Sequence, residues 1–288
     1  RGLDHEAVGR SKTGMGQGID QRCVVEFEVL RHAWSLGLKV PKPILVESST
    51  EPLGAPFLVV SRLTGRQEGD IFFPPVRETL MMQLAEQLGR LHKGPIDEVT
   101  KAAGLKTKSF TADELRAELP AMRQSIARLD PPCRTIDIVI DWLEQQIPTI
   151  SGPITSGLIT LVHGDLAFHN IMVDGNDLTA LLDWEMAHLG HPAQDLGYVK
   201  GAVETVTTWQ KFMDAYHAAG GPVVRSLDVD FYALWGGIWL YSVFLQARAG
   251  VVAGMLPDSQ VVVVCSHLLP ILRQRLSQQL RAILQRQA

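Results

Sequence analysis

The chain has 288 residues, 46% hydrophobic and 20% charged, enough for one large domain or two modest ones with a full apolar core. Its 27 basic and 31 acidic residues leave a net charge of −4, which excludes a general nucleic-acid binder, since such a protein needs a basic surface to neutralise phosphates. Three widely spaced cysteines, Cys23, Cys133 and Cys265, form no CxxC pair, and RGLDHEAVGRSKTG holds no apolar leader, so the expected compartment is the reducing cytoplasm.

Residues 1–19 are polar and glycine-rich, with no usable period. A helix is predicted from an N-cap at Asp20 to a stop at Gly37, with Cys23, Phe27, Leu30 and Trp34 at helical spacing. Two strand-like runs follow, PILVES and PFLVVSRL, separated by the turn chemistry of STEPLG. After Pro74 and Pro75, VRETLMMQLAEQLGRLH repeats apolar residues at three and four. Thr111 and Glu114 fit a capping box that opens the next helix, and residues 136–147 read as another. LITLVHG, IMV and LTALLDW read as short strands, the last two joined by the turn DGND. Beyond Asp195 the chain reads helical, with breaks at Gly220-Gly221, from Gly254 to Pro257, and at Pro270. The longest uncharged run, FYALWGGIWLYSVFLQA at residues 231–247, carries two glycines, two tyrosines and a glutamine, so it reads as a core helix, and no membrane partner is expected. The layout is α+β, with a small mixed N-terminal lobe over residues 1–65 and a large helical lobe over 66–288 that carries one polar hairpin.

That hairpin neck, LVHGDLAFHNIMV, sets four polar side chains between two apolar runs. Phosphoryl transfer needs a carboxylate to orient and deprotonate the attacking hydroxyl, and oxygen ligands for Mg²⁺ on the phosphates. The spacing His163-x-Asp165-x-x-x-x-Asn170 supplies those parts on one loop, and Asp183, at the end of a following strand, supplies a second carboxylate. His163, Asp165, His169 and Asp183 are also the residue types of a zinc metallohydrolase site, which stands as an alternative.

These residues resemble the aminoglycoside phosphotransferase and choline-kinase-like superfamily of small-molecule kinases, closest to the branch resembling the kinase-like domains associated with acyl-CoA dehydrogenases. VEFEVLRHAWSLGLKVPKPI, GAPFLVVSRLTGR, LVHGDLAFHNIMV and ALLDWEMAHLGHPAQDLGYV carry the resemblance. It implies a protein-kinase-like bilobal fold, ATP and Mg²⁺ as cofactors, and a phosphotransferase acting on an alcohol group. It also implies roles: Asp165 as base, Asn170 and Asp183 as metal ligands, and Glu26 as the helix glutamate that pairs with a basic residue on the α/β-phosphates. Ser61, Arg62 and Leu63 fall at the hinge that meets adenine through its backbone. His163 and Asp195 brace the catalytic loop, and Glu185 supports the metal shell. His169 falls in a slot facing substrate or solvent.

The chain departs from that pattern before Glu26, where no three-strand sheet is expected. Gly14-x-Gly16-x-Gly18 has no strand ahead of it and reads as a connector. Arg1, then Lys12, are the expected partners of Glu26, and truncation of a longer protein is the expected cause. An incomplete N-lobe also keeps a non-catalytic nucleotide-binding protein as an alternative. For the acceptor, Tyr198, Trp235, Trp239 and Tyr241 are the candidate contacts. With few acids beside them, they favour a weakly charged hydroxylated metabolite, such as a hydroxyacyl thioester, over a polycationic aminoglycoside.

Overall fold

The computed structural model describes residues 7–11, 19–108, 110–150, 152, 156–255 and 259–287. It divides into two compact units: residues 1–108, 158–195 and 202–223, and residues 109–157, 196–201 and 224–288. The first unit therefore groups the small sheet with the polar hairpin.

In the first unit, β1 (Ala7–Ser11), β3 (Phe57–Ser61) and β2 (Pro43–Glu47) form an antiparallel sheet in that order. β1 corrects the expectation of no strand before Glu26. Its backbone pairs along β3 from Ala7 opposite Ser61 to Ser11 opposite Phe57, so cross-strand hydrogen bonding supplies order where the sequence has no alternation. Helix α1 (Ile19–Ser35) begins one residue before the predicted cap. Its buried stripe is Cys23, Glu26, Leu30 and Ala33, while Trp34 is 46% exposed. The expected apolar face is thus rotated, and a glutamate points inward.

Helix α2 (Glu78–Lys93) buries Leu80, Met81, Leu84, Leu88 and Leu91, and packs on α7 (Trp209–Ala218). The short helix α3 (Asp97–Ala103) packs on α1. A second sheet runs β4 (Arg66–Gln67), β6 (Ile171–Asp174), β7 (Asp177–Leu181). The β6–β7 hairpin closes over Gly175-Asn176, with Gly175 at φ +56° as a tight turn demands. β5 (Thr160–Val162) pairs antiparallel with β8 (His188–Gly190).

In the second unit, α4 (Ala112–Leu129) opens on the predicted capping box. Glu114 N–H donates to Thr111 Oγ1, and Thr111 N–H donates back to Glu114. α5 (Arg134–Gln146), α8 (Ser226–Val252) and α9 (Ser259–Gln287) complete the bundle. The break expected at Pro270 is absent: α9 runs through it, since Leu268, Leu269, Leu272 and Leu276 bury on either side and outweigh one lost hydrogen bond. Helix α6 (Ala193–Val203) begins two residues before Asp195. Among the described residues, no helix is long and apolar enough to cross a membrane.

Candidate active site

The loop after β5 turns at Gly164, whose φ is +82° and where an added Cβ would lie 2.6 Å from the Met186 carbonyl oxygen. Only glycine satisfies both demands. A short turn, Phe168–Asn170, then leads into β6.

His163 is fully buried, and burial holds its imidazole below the ordinary 6.5. Nε2 donates to the Leu182 carbonyl at 3.0 Å, while Nδ1 accepts the Asp165 N–H at 3.2 Å. Both ring nitrogens are thus spent on backbone, tying the loop after β5 to the segment that carries Asp183. Its ring also lies 4.5 Å from that of Trp184. Asn170 donates through Nδ2 to the Asp165 carbonyl at 3.1 Å and to Asp165 Oδ2 at 3.2 Å. Asp183 sits at φ 63°, ψ 67° in the left-handed region, one residue beyond Leu182, whose N–H donates to the Asn170 carbonyl at 2.8 Å.

Asp195 clamps the loop from behind. Oδ2 accepts the His163 N–H at 2.8 Å, and Oδ1 accepts the Gly164 N–H at 3.0 Å. Burial alone would push the carboxyl up, but the hydrogen bonds from His92 and the Gly164 N–H hold it below the ordinary 3.8.

Glu26, His169, Asn170 and Asp183 line one cavity of about 400 Å³, whose apolar wall includes Leu58 and Val60. Glu26 is 2% exposed. Its expected partners, Arg1 and Lys12, lie outside the described residues, as does the glycine pattern at 14–18. Ser61 does not line the cavity. It bonds instead to the Lys42 backbone, with N–H to carbonyl at 2.9 Å and the Lys42 N–H to Oγ at 3.0 Å. Arg62 and Glu185 are exposed, and Leu63 is half-buried.

In the second unit Trp235 is 5% exposed and stacks on Phe231, with Phe110 at its edge, so it is a core residue. Tyr241 is buried too: its hydroxyl donates to Asp130 at 2.6 Å and accepts from Arg273. Tyr198 is half-buried and Trp239 is 43% exposed.

The zinc alternative fails. Among the described residues no group of three His, Cys, Asp or Glu could hold a metal ion, and both His163 nitrogens face backbone partners. Three residues of the site escaped sequence reasoning. Gln67 lines the cavity and donates to the His169 carbonyl at 2.5 Å; His92 and Tyr216 stand behind Asp195. The signal for His92 was a histidine on an otherwise apolar helix face.

The model of the phosphotransferase enzyme family matches residues 20–235, most of the chain. The chain belongs to that family. Acyl-CoA dehydrogenase family member 11 of Pongo abelii is 28% identical over 191 residues, 60% of this chain and 22% of the relative. The Homo sapiens protein of that name is 27% identical over the same shares. The chain thus spans about a fifth of the length of these curated relatives. Among solved structures, a Ralstonia eutropha protein provisionally described as an aminoglycoside phosphotransferase superposes with a TM-score of 0.68 at 18% identity, over 96% of this chain and 86% of that one. The AMP-bound spectinomycin phosphotransferase gives 0.68 at 13%, over 95% and 88%. The GDP complex of aminoglycoside 2′-phosphotransferase-IIIa gives 0.62 at 18%, over 94% and 87%. The expected mixed α+β, kinase-like fold is therefore the fold of the family member.

Proposed function

We propose that the chain moves the γ-phosphate of ATP, with Mg²⁺, onto a hydroxyl of a small molecule. One observation carries this reading: Asn170 and Asp183 share a cavity wall with Glu26. A polyphosphate facing Glu26 and Asp183 needs a divalent cation between them. The donors fit Mg²⁺, being hard oxygens, and the Asn170 amide nitrogen is already spent on Asp165, which leaves its oxygen to ligate. When bound, Mg²⁺ neutralises charge on the phosphate oxygens during transfer.

The chain's own residues do the rest. Asp165 orients the acceptor hydroxyl and takes its proton. His163 and Asp195 hold the loop, and Glu26 pairs with a basic residue on the α/β-phosphates. Residues 61–63 meet the base through their backbone, beside the apolar wall of Leu58 and Val60. Glu185 supports the metal shell. In this reading residues 1–65 form the nucleotide-side lobe and residues 66–288 the lobe of the catalytic loop. On the loop side, His169 is the acceptor contact. The acceptor is a weakly charged hydroxylated metabolite, and a hydroxyacyl thioester suits relatives named for acyl-CoA chemistry.

Thermal melts with ATP test the site first, because a ligand that binds only the folded state raises the melting temperature. A rise that requires Mg²⁺ and is lost in Asp183→Ala supports the nucleotide site; no rise overturns it. Asp165→Asn should lower transfer by about a hundredfold to ten-thousandfold while keeping the Mg²⁺-dependent rise. Full activity in that variant would remove Asp165 as base, and binding without turnover of any acceptor would favour the non-catalytic alternative. In an acceptor screen, hydroxyacyl thioesters should be phosphorylated and kanamycin should not.

A further inference from the structure

The clamp on the catalytic loop has a second layer. His92, near the end of α2, is 3% exposed. Its Nε2 lies 3.1 Å from Asp195 Oδ2, and its Nδ1 lies 2.9 Å from the Tyr216 hydroxyl. A carboxylate can only accept, so the ring proton belongs on Nε2, and Tyr216 then donates to Nδ1. Tyr216 is fully buried on α7, its ring edge-on to His92 at 5.7 Å, and burial pushes its hydroxyl well above the ordinary 10, which keeps it a donor. The two helices are brought together by Gly89, where an added Cβ would lie 2.3 Å from the Tyr216 carbonyl oxygen. His92 itself is not among the residues lining the cavity.

We propose that His92, backed by Tyr216, is a positioning residue for phosphoryl transfer, acting through Asp195 to set the backbone of the catalytic loop. The proposal rests on the phosphotransferase reading above. Asp195 offers its two oxygens to two consecutive loop N–H groups, and His92 supplies the side-chain donor that fixes the rotation of that carboxylate. Without it the carboxylate is buried one donor short, and the loop amides lose their fixed acceptor. Displacements of about 1 Å in such a loop are costly to chemistry and mild for binding.

The test uses the full chain, with ADP formation from MgATP in the presence of a hydroxyacyl thioester as the turnover assay and hydrogen exchange over residues 160–170 as a second measurement. His92→Leu should cut kcat by about tenfold to a hundredfold while the KM for MgATP moves less, and should raise exchange at the loop. His92→Gln, whose amide can stand in for the Nε2 donor, should restore much of both. Tyr216→Phe should move both the same way by less, and serves if His92→Leu does not fold. Wild-type kcat and loop protection in His92→Leu or Tyr216→Phe would overturn the proposal, as would failure of His92→Gln to restore either. If the wild-type chain forms no more ADP than Asp165→Asn, the phosphotransferase reading fails and takes the catalytic role of His92 with it. The exchange data then decide the clamp alone: lost protection regained in His92→Gln upholds it, and unchanged protection overturns it.

Discussion

Asp183 holds a backbone conformation that few side chains accept, φ 63° and ψ 67°. Asp and Asn tolerate this region because their short polar groups bond locally, whereas a β-branched side chain does not. Asp183→Val should therefore cost about 1–3 kcal/mol in urea unfolding. Asp183→Asn should stay within about 0.5 kcal/mol while weakening MgATP binding. Equal losses in the two variants would show that the backbone angle is not what the aspartate satisfies. Titration adds a second residue-scale prediction. His163 and His188 are both held below 6.5 by burial, so the unfolded chain takes up protons there before the folded one does, and stability falls as pH drops below about 6.5. Asp195, held below 3.8, contributes stability above that value and loses it as pH falls further. Thermal melts should thus drop from pH 7 to pH 5, and less steeply in His163→Gln; a flat profile between these values would contradict the burial argument. At this scale the sequence named Asp165, Asn170 and Asp183 by their spacing. It missed His92 because a histidine on an apolar helix face looks like any core histidine until its partner is known.

At the scale of elements, the close approach of α2 and α7 depends on a residue with no side chain. Gly89→Leu pushes atoms into the Tyr216 backbone, which cannot give way as a flexible side chain can, and should destabilise by about 1–3 kcal/mol or more. Unfolding in urea measures this, and a neutral result would mean that the helices can part at little cost. The long amphipathic helices, the β6–β7 hairpin and the capping box at Thr111 were legible, since each has a periodic or fixed-offset signature. β4 and β8, with two and three residues, and α3, with seven, were not, because so few positions cannot display a period. Pro270 misled for the opposite reason: a strong local breaker was overruled by burial of the leucines around it.

For the whole molecule, a net charge of −4 opposes a polyanionic ligand at long range, so nucleotide binding should weaken when Mg²⁺ is withheld by far more than general salt effects explain. At a nucleotide concentration about one hundred times the dissociation constant, ligation adds about 2.7 kcal/mol to folding. Hydrogen exchange with MgATP should show that protection first around residues 160–185. The sequence by itself determined the order and type of the long elements, the turn of the hairpin and the spacing of the loop's polar residues, since periods, caps and turns are written between near neighbours. Only the tertiary structure decided that Glu26 faces inward, that Trp235 is core, that β1 joins the sheet, and that His92 meets Asp195 across 103 positions of chain. Contacts at such separations follow from how helices and sheets pack, and no local period encodes them.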